Sequence, residues 1–154
     1  MATDPGKESA VPILGLREFE AALRKVAFDA DEAGKIAVIK AAALVEAKTK
    51  ANFEGSHKKG EPHVGGDRPN VVTGTARRSV RSDPVERLGL GDYREIVAPR
   101  ARYYRRLELG YPGGTGGRGH QRTRAFPSFG PAVEDARREF PQIAADTWRG
   151  FLTR

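Results

Sequence analysis

From Leu16 to Phe53 the chain contains no proline, and Leu16, Phe19, Leu23, Val26, Ala30, Ala33, Ala37, Ala41, Leu44, Ala47 and Ala51 recur at steps of three and four. That spacing places them on one face of an α-helix. Unbroken, the helix would run about 57 Å at 1.5 Å per residue, a long rod for a chain of 154 residues. Gly34 is the expected point of a bend, because glycine is a poor helix former. The many alanines allow a second element to approach closely.

Everything else must be arranged around this rod. Residues 1–12 read as a flexible arm ending at Pro12, and residues 54–72, "EGSHKKGEPHVGGDRPNVV", as a long loop without apolar periodicity. "TARRSVRSD" and "DYREIVAP" read as two short strands reversing through "PVERLGLG", a hairpin or meander. "RARYYRRLELG" predicts a short helix closed by a left-handed cap at Gly110. A second glycine-rich loop, 110–124, follows, and residues 54–70 and 110–124 are expected to be mobile until assembly orders them. In "AFPSFGPAVEDARREFPQIAADTWRGFL", Val133, Ala136, Phe140, Ile143 or Ala144, Trp148 and Phe151 share a helical face. Pro131 suits its first turn, and Pro141 should kink it or start a second helix. These elements predict a single α+β domain over 1–154: a long N-terminal helix and a C-terminal helix packed on a small antiparallel sheet, with long glycine-rich loops.

With no cysteine, neither a disulfide framework nor a thiolate metal site is available. No apolar run is long enough for a membrane span, and the N-terminus lacks the pattern of a signal peptide. A soluble protein without membrane partners is expected. The net charge of +7 is concentrated: Thr73 to Gly130 holds twelve arginines against five acids, and the rest of the chain is balanced. Every lysine precedes residue 60, so this middle is served by arginine alone, whose planar fork suits carboxylate or phosphate at partly dry contacts. An interface or a phosphate-binding surface follows.

Motifs for chemistry are missing. "GYPGGTGGRGH" lacks the Gly-Lys-Ser/Thr ending of a P-loop and the strand–helix setting of a dinucleotide site. "DADEAG" begins like a calcium loop, but Ala33 and Lys40 stand where ligands are required. His57, His63 and His120 sit in loops without ligand spacing and read as solvated. No catalytic triad or carboxylate pair separates from the solvated helix faces, so neither an enzyme nor a cofactor is expected. Glu108 stands alone among Arg100, Arg102, Arg105, Arg106, Arg118, Arg122 and Arg124. It has two candidate partners, Arg105 three residues before it or an arginine of a neighbouring subunit.

Three stretches in order, "RPNVVTGTARRSV", "EIVAPRARYYRRLELGYP" and "AFPSFGPAVEDA", resemble the head-tail joining or tail-completion proteins of long-tailed bacteriophages, also known as minor tail components. The matching residues are Thr73, Gly74, Arg77 or Arg78, Ser79 and Val80; then Val97, Tyr103 or Tyr104, Glu108 and Gly110; then Pro127, Phe129, Pro131 and Ala132. The resemblance spans roughly residues 14–152 and implies the same α+β order of elements. It implies a structural protein of the virion neck, assembled in the host cytoplasm. There it would form a cyclic homo-oligomer, taken as a hexamer, joining the portal and stopper to the tail terminator or tail tube, with channel DNA a further contact. In that setting Arg102, Arg105, Arg106, Glu108, Arg118, Arg122 and Arg124 are expected at an interface. Thr73, Gly74, Ser79, Gly110 and Pro131 are expected to be structural. The alternative is a basic nucleic-acid-binding module, although no helix-turn-helix, zinc finger or aromatic RNA-binding sheet motif is present.

Overall fold

The computed structural model describes residues 15–113 and 122–153. Helix α1 (Leu16–Ala51) is one continuous rod of 36 residues, roughly 54 Å long. It runs through Gly34 without interruption. A Cβ at Gly34 would lie 3.7 Å from the Gly91 carbonyl oxygen, so glycine here serves the approach of a neighbouring turn.

An antiparallel pair does form, with two corrections: its first segment begins as a helix, and the stretch read as the reversal, "PVERLGLG", holds a strand of its own, so that "DYREIVAP" divides into two strands. Gly74, at φ 72°, opens a short helix, α2 (Thr75–Ser79), where a strand was expected. Strand β1 (Val80–Ser82) then pairs antiparallel with β4 (Val97–Pro99), matching Val80 to Pro99 and Ser82 to Val97. Between them lies a second antiparallel ladder, β2 (Glu86–Gly89) with β3 (Asp92–Arg94), turned through Leu90 and Gly91. The Asp83 N–H to Ile96 carbonyl bond of 2.8 Å bridges the two ladders, so they form one long, interrupted ribbon.

Helix α3 (Tyr104–Leu109) ends at Gly110, whose φ of 72° and ψ of −175° are not those of the left-handed cap expected from sequence. A Cβ there would come within 2.8 Å of the Thr123 carbonyl oxygen and 2.9 Å of the Ala125 nitrogen. Glycine is required because another stretch of backbone passes against it. Tyr111 and Thr123 exchange backbone hydrogen bonds of 2.8 Å each way, closing the neck of the second loop.

Helix α4 (Phe129–Leu152) continues through Pro141, neither ending nor restarting there. It packs antiparallel along the C-terminal part of α1: the Asn52 side-chain amide donates to the Ser128 carbonyl (2.7 Å), and Lys40 Nζ to Thr147 Oγ1 (3.1 Å). Lys48 and Glu139 pair at 2.8 Å, which raises the lysine's pKa. The buried face of α4 is Ala132, Ala136 and Thr147, so the stripe read from sequence, which ran from Val133 through Trp148 to Phe151, is displaced by one residue at both Val133 and Trp148. Thr147 turns inward to accept from Lys40, and Phe140 and Trp148 are exposed.

Loop 54–72 carries internal structure that composition did not indicate. Asn70 organises it: Oδ1 accepts from Val64 N–H (2.8 Å), and Nδ2 donates to the carbonyls of Glu54 (2.6 Å) and Val64 (2.9 Å). His63 is not a solvated histidine. Its ring stacks on Phe126 at 4.0 Å between centroids and hydrogen-bonds the Arg68 carbonyl at 2.9 Å.

Candidate interaction surfaces

Residues from each of the three sequence motifs meet beside Phe53 at the end of α1. Phe53, Val80 and Tyr104 form a buried cluster, with Val71, Ala76, Val97, Leu107 and Phe129 packed against it. The Phe53 and Tyr104 rings lie 6.3 Å apart at 58°, a tilted aromatic pair. Burial pushes the Tyr104 hydroxyl up to about 12, and that hydroxyl hydrogen-bonds Ser128 Oγ at 2.6 Å.

Glu108 does not take the local partner expected from sequence: among the described residues it forms no ion pair to Arg105. Its carboxylate caps α4 instead. Oε2 accepts from the Ser128 (2.8 Å) and Phe129 (3.1 Å) N–H groups, and Oε1 accepts from that of Gly130 (2.7 Å). The next residue, Pro131, has no N–H, and Ala132 can reach the Ser128 carbonyl within the helix. Every donor at the start of α4 therefore has an acceptor or needs none, and the negative charge sits at the positive end of the helix dipole. Sequence rules look for a cap within a few residues; this one comes from 20 residues upstream.

The residues expected to be structural make these local contacts. Ser79 Oγ donates to the Ala76 carbonyl (2.7 Å), and its own carbonyl accepts from Arg100 N–H (2.9 Å). The Thr73 carbonyl accepts from Arg78 Nη2 (2.9 Å), and the Gly74 carbonyl accepts from Arg78 N–H (2.9 Å). Pro131 lies in the first turn of α4.

The expected interface arginines divide. Arg124 pairs with Asp67, joining the neck of the second loop to the first loop, and Arg106 lies 4.8 Å over the Tyr111 ring. Arg102, Arg105 and Arg122 are exposed and form no ion pair among the described residues; Arg118 lies outside those residues. Arg102 and Arg105 flank a shallow cleft of about 300 Å³ together with Pro99, Ala101, Leu109 and Phe129. Lys50, Arg77, Arg78 and Arg81 line another of about 380 Å³. No group of three or more histidine, aspartate or glutamate residues able to hold a metal occurs among the described residues.

Asp31, from the stretch that imitates a calcium loop, holds the hairpin to α1. It accepts from Tyr93 Oη (2.8 Å) and Gly91 N–H (2.7 Å) and pairs with Arg87 (3.0 Å). These donors, the tyrosine foremost, hold its carboxyl below the ordinary aspartate range. Glu46 ties α1 to β1 in the same way, pairing with Lys50 and accepting from the Ser82 N–H (2.9 Å) and Oγ (3.2 Å). Its pKa is also lowered, chiefly by Lys50.

A surface that charge arguments missed is apolar. Among the described residues, three large hydrophobic side chains are buried, Phe53, Val80 and Tyr104; the other buried hydrophobic positions are alanines. Sixteen large hydrophobics are exposed. The first turns of α1, before α4 and the ribbon cover it, carry Leu16, Phe19 (60 % exposed), Leu23 and Val26 on one face, and Phe28 (65 %) on another. The signal was visible in the sequence as large residues at the start of the stripe and alanines thereafter. Comparison with protein-family models, curated proteins and solved structures finds no match for this chain.

Proposed function

We propose that this protein is a structural subunit of a bacteriophage neck, assembling with itself into a ring that joins the head to the tail and helps complete the tail. The observation that carries the assembly part of this reading is the inverted distribution of apolar bulk: among the described residues, five of the eight buried hydrophobic residues are alanines, and sixteen large hydrophobics face outward. Monomers rarely expose large contiguous apolar patches, whereas subunits of assemblies do. The phage assignment is supported by the order of the three motifs and by their convergence, with Glu108 of the second capping the helix opened by the third. The implied neighbours are stopper and tail-terminator or tail-tube proteins.

Sedimentation velocity and negative-stain imaging of the purified chain test this reading. Closed rings are expected in the absence of DNA. A species that stays monomeric alone and with phage neck or tail components would refute it.

A second reading, duplex binding by the isolated subunit, is favoured by the cluster of Lys50, Arg77, Arg78 and Arg81 along one cleft. Binding of a DNA duplex by monomer, weakening steeply as salt rises, would select it.

A further inference from the structure

Helix α1 carries one apolar face along its length, and its two halves are treated differently. At Ala33 and Ala37 the face is buried. At Leu16, Phe19, Leu23 and Val26 the same face continues into solvent with much larger side chains. Helix α4, which runs antiparallel to α1, ends at Leu152 and leaves this stretch uncovered. The interface is therefore interrupted where α4 stops, although the apolar pattern of α1 goes on.

Helix α4 has an apolar surface of its own beyond the face it turns to α1. Phe140, Ala144, Trp148 and Leu152 recur every four residues and form an i, i+4 ridge, with Pro141 and Ala145 beside it. Phe140 is 41 %, Trp148 39 % and Leu152 61 % exposed. The two uncovered stripes match in length, about 15 Å from Leu16 to Val26 and about 18 Å from Phe140 to Leu152. Each stripe continues the apolar packing that already joins α1 to α4 within one chain.

We infer that the α1 arm, Leu16–Val26, of one copy docks on the α4 ridge, Phe140–Leu152, of the next copy, so that each α1 packs on two α4 helices, its own and its neighbour's. This inference rests on the self-assembly reading above and adds the contact that makes it. The two stripes differ, so the contact is heterologous and propagates from subunit to subunit, which is what a closed ring requires. Pairing of two α1 arms would give an isologous dimer and stop there.

The absence of cysteine makes the test clean. The full chain carrying both Leu23→Cys and Trp148→Cys is treated with a short bis-maleimide, beside each single variant and a second double variant, Leu23→Cys with Ala144→Cys, which samples the adjacent turn. Circular dichroism checks that each variant is folded. The expected result is a ladder of covalent trimers and larger species for at least one double variant and none for the singles. Covalent dimers from Leu23→Cys alone would overturn the inference in favour of paired α1 arms. Rings in the microscope that give no ladder from either double variant would overturn the contact and leave the ring reading intact. A parent chain that stays monomeric would defeat both, whereas a ladder of open filaments would keep the contact and defeat the ring.

Discussion

The hub around Tyr104 and the exposed arm of α1 are made of the same kinds of side chain and differ in what covers them. In the hub, Phe53, Val80 and Tyr104 are buried, and the polar groups around them, Ser128 and the first N–H groups of α4, find partners inside the chain. In the arm, Leu16, Phe19, Leu23 and Val26 have no such cover. Bulk in the hub holds the chain together; in the proposed assembly, bulk in the arm binds another copy. A change in the hub should therefore act on stability, and a change in the arm on assembly.

Gly110 should give the largest effect within the hub. Gly110→Ala places a Cβ within 2.8 Å and 2.9 Å of two backbone atoms at a φ of 72°, so the neck of the second loop must separate. A loss of about 3 kcal/mol in chemical denaturation is expected, from steric conflict added to the cost of positive φ. A variant as stable as its parent would show that the neck does not contribute to the hub.

Glu108→Ala comes next. It leaves three N–H groups at the start of α4 without their acceptor, and about 2 kcal/mol should be lost. Glu108→Gln, which keeps one acceptor oxygen, should lose roughly half as much. Equal losses for both would mean that the carboxylate acts through something other than the cap.

Acid separates the hub from the ribbon. Asp31 and Glu46 titrate lower in the folded chain than in the unfolded one, because hydrogen bonds and cations favour their charged forms. The stability they contribute is complete above the ordinary carboxylate range, near pH 4, and is lost as pH falls through the lower folded values. Asp31→Asn should flatten that acid limb, and hydrogen exchange should place the change in β2 and β3. An unaltered acid limb would remove Asp31 from its role as the ribbon's anchor.

Gly74 should matter least among the hub changes. Its φ is also 72°, but a Cβ there meets the end of the Arg78 side chain, which can move. Gly74→Ala should cost about 1 kcal/mol, mainly from the backbone conformation. A loss matching that of Gly110→Ala would show that the turn into α2 is as confined as the loop neck.

The sequence carried the architecture because the architecture is periodic. The repeat of three and four that starts at Leu16 marks α1, and the one after Pro131 marks α4 to within a turn. The segments around Val80 and Val97 were read as strands and do pair, but β2 lies in the stretch read as the reversal. Short-range features were harder: "TARRS" lacks the length to show helical periodicity, and the conformation of Gly74 turns it into α2. Long-range partners could not be seen at all. Glu108 and Ser128, Asp31 and Tyr93, and Arg124 and Asp67 are 20, 62 and 57 residues apart, and only the fold brings them together. The charge excess drew attention to arginine, several of which the fold uses internally. The proposed assembly rests instead on the size gradient along α1.

The most direct measurement is a comparison of stability and sedimentation for a Phe19→Ser, Leu23→Ser double variant and its parent. Both positions are exposed, so the denaturation midpoint of the dilute subunit should shift by no more than about 0.5 kcal/mol per change. Sedimentation velocity should show the parent as an oligomer and the variant as a monomer at the same concentration. A variant that sediments like its parent, or one that assembles normally but unfolds several kcal/mol sooner, would contradict the claim that the arm exists to bind another copy.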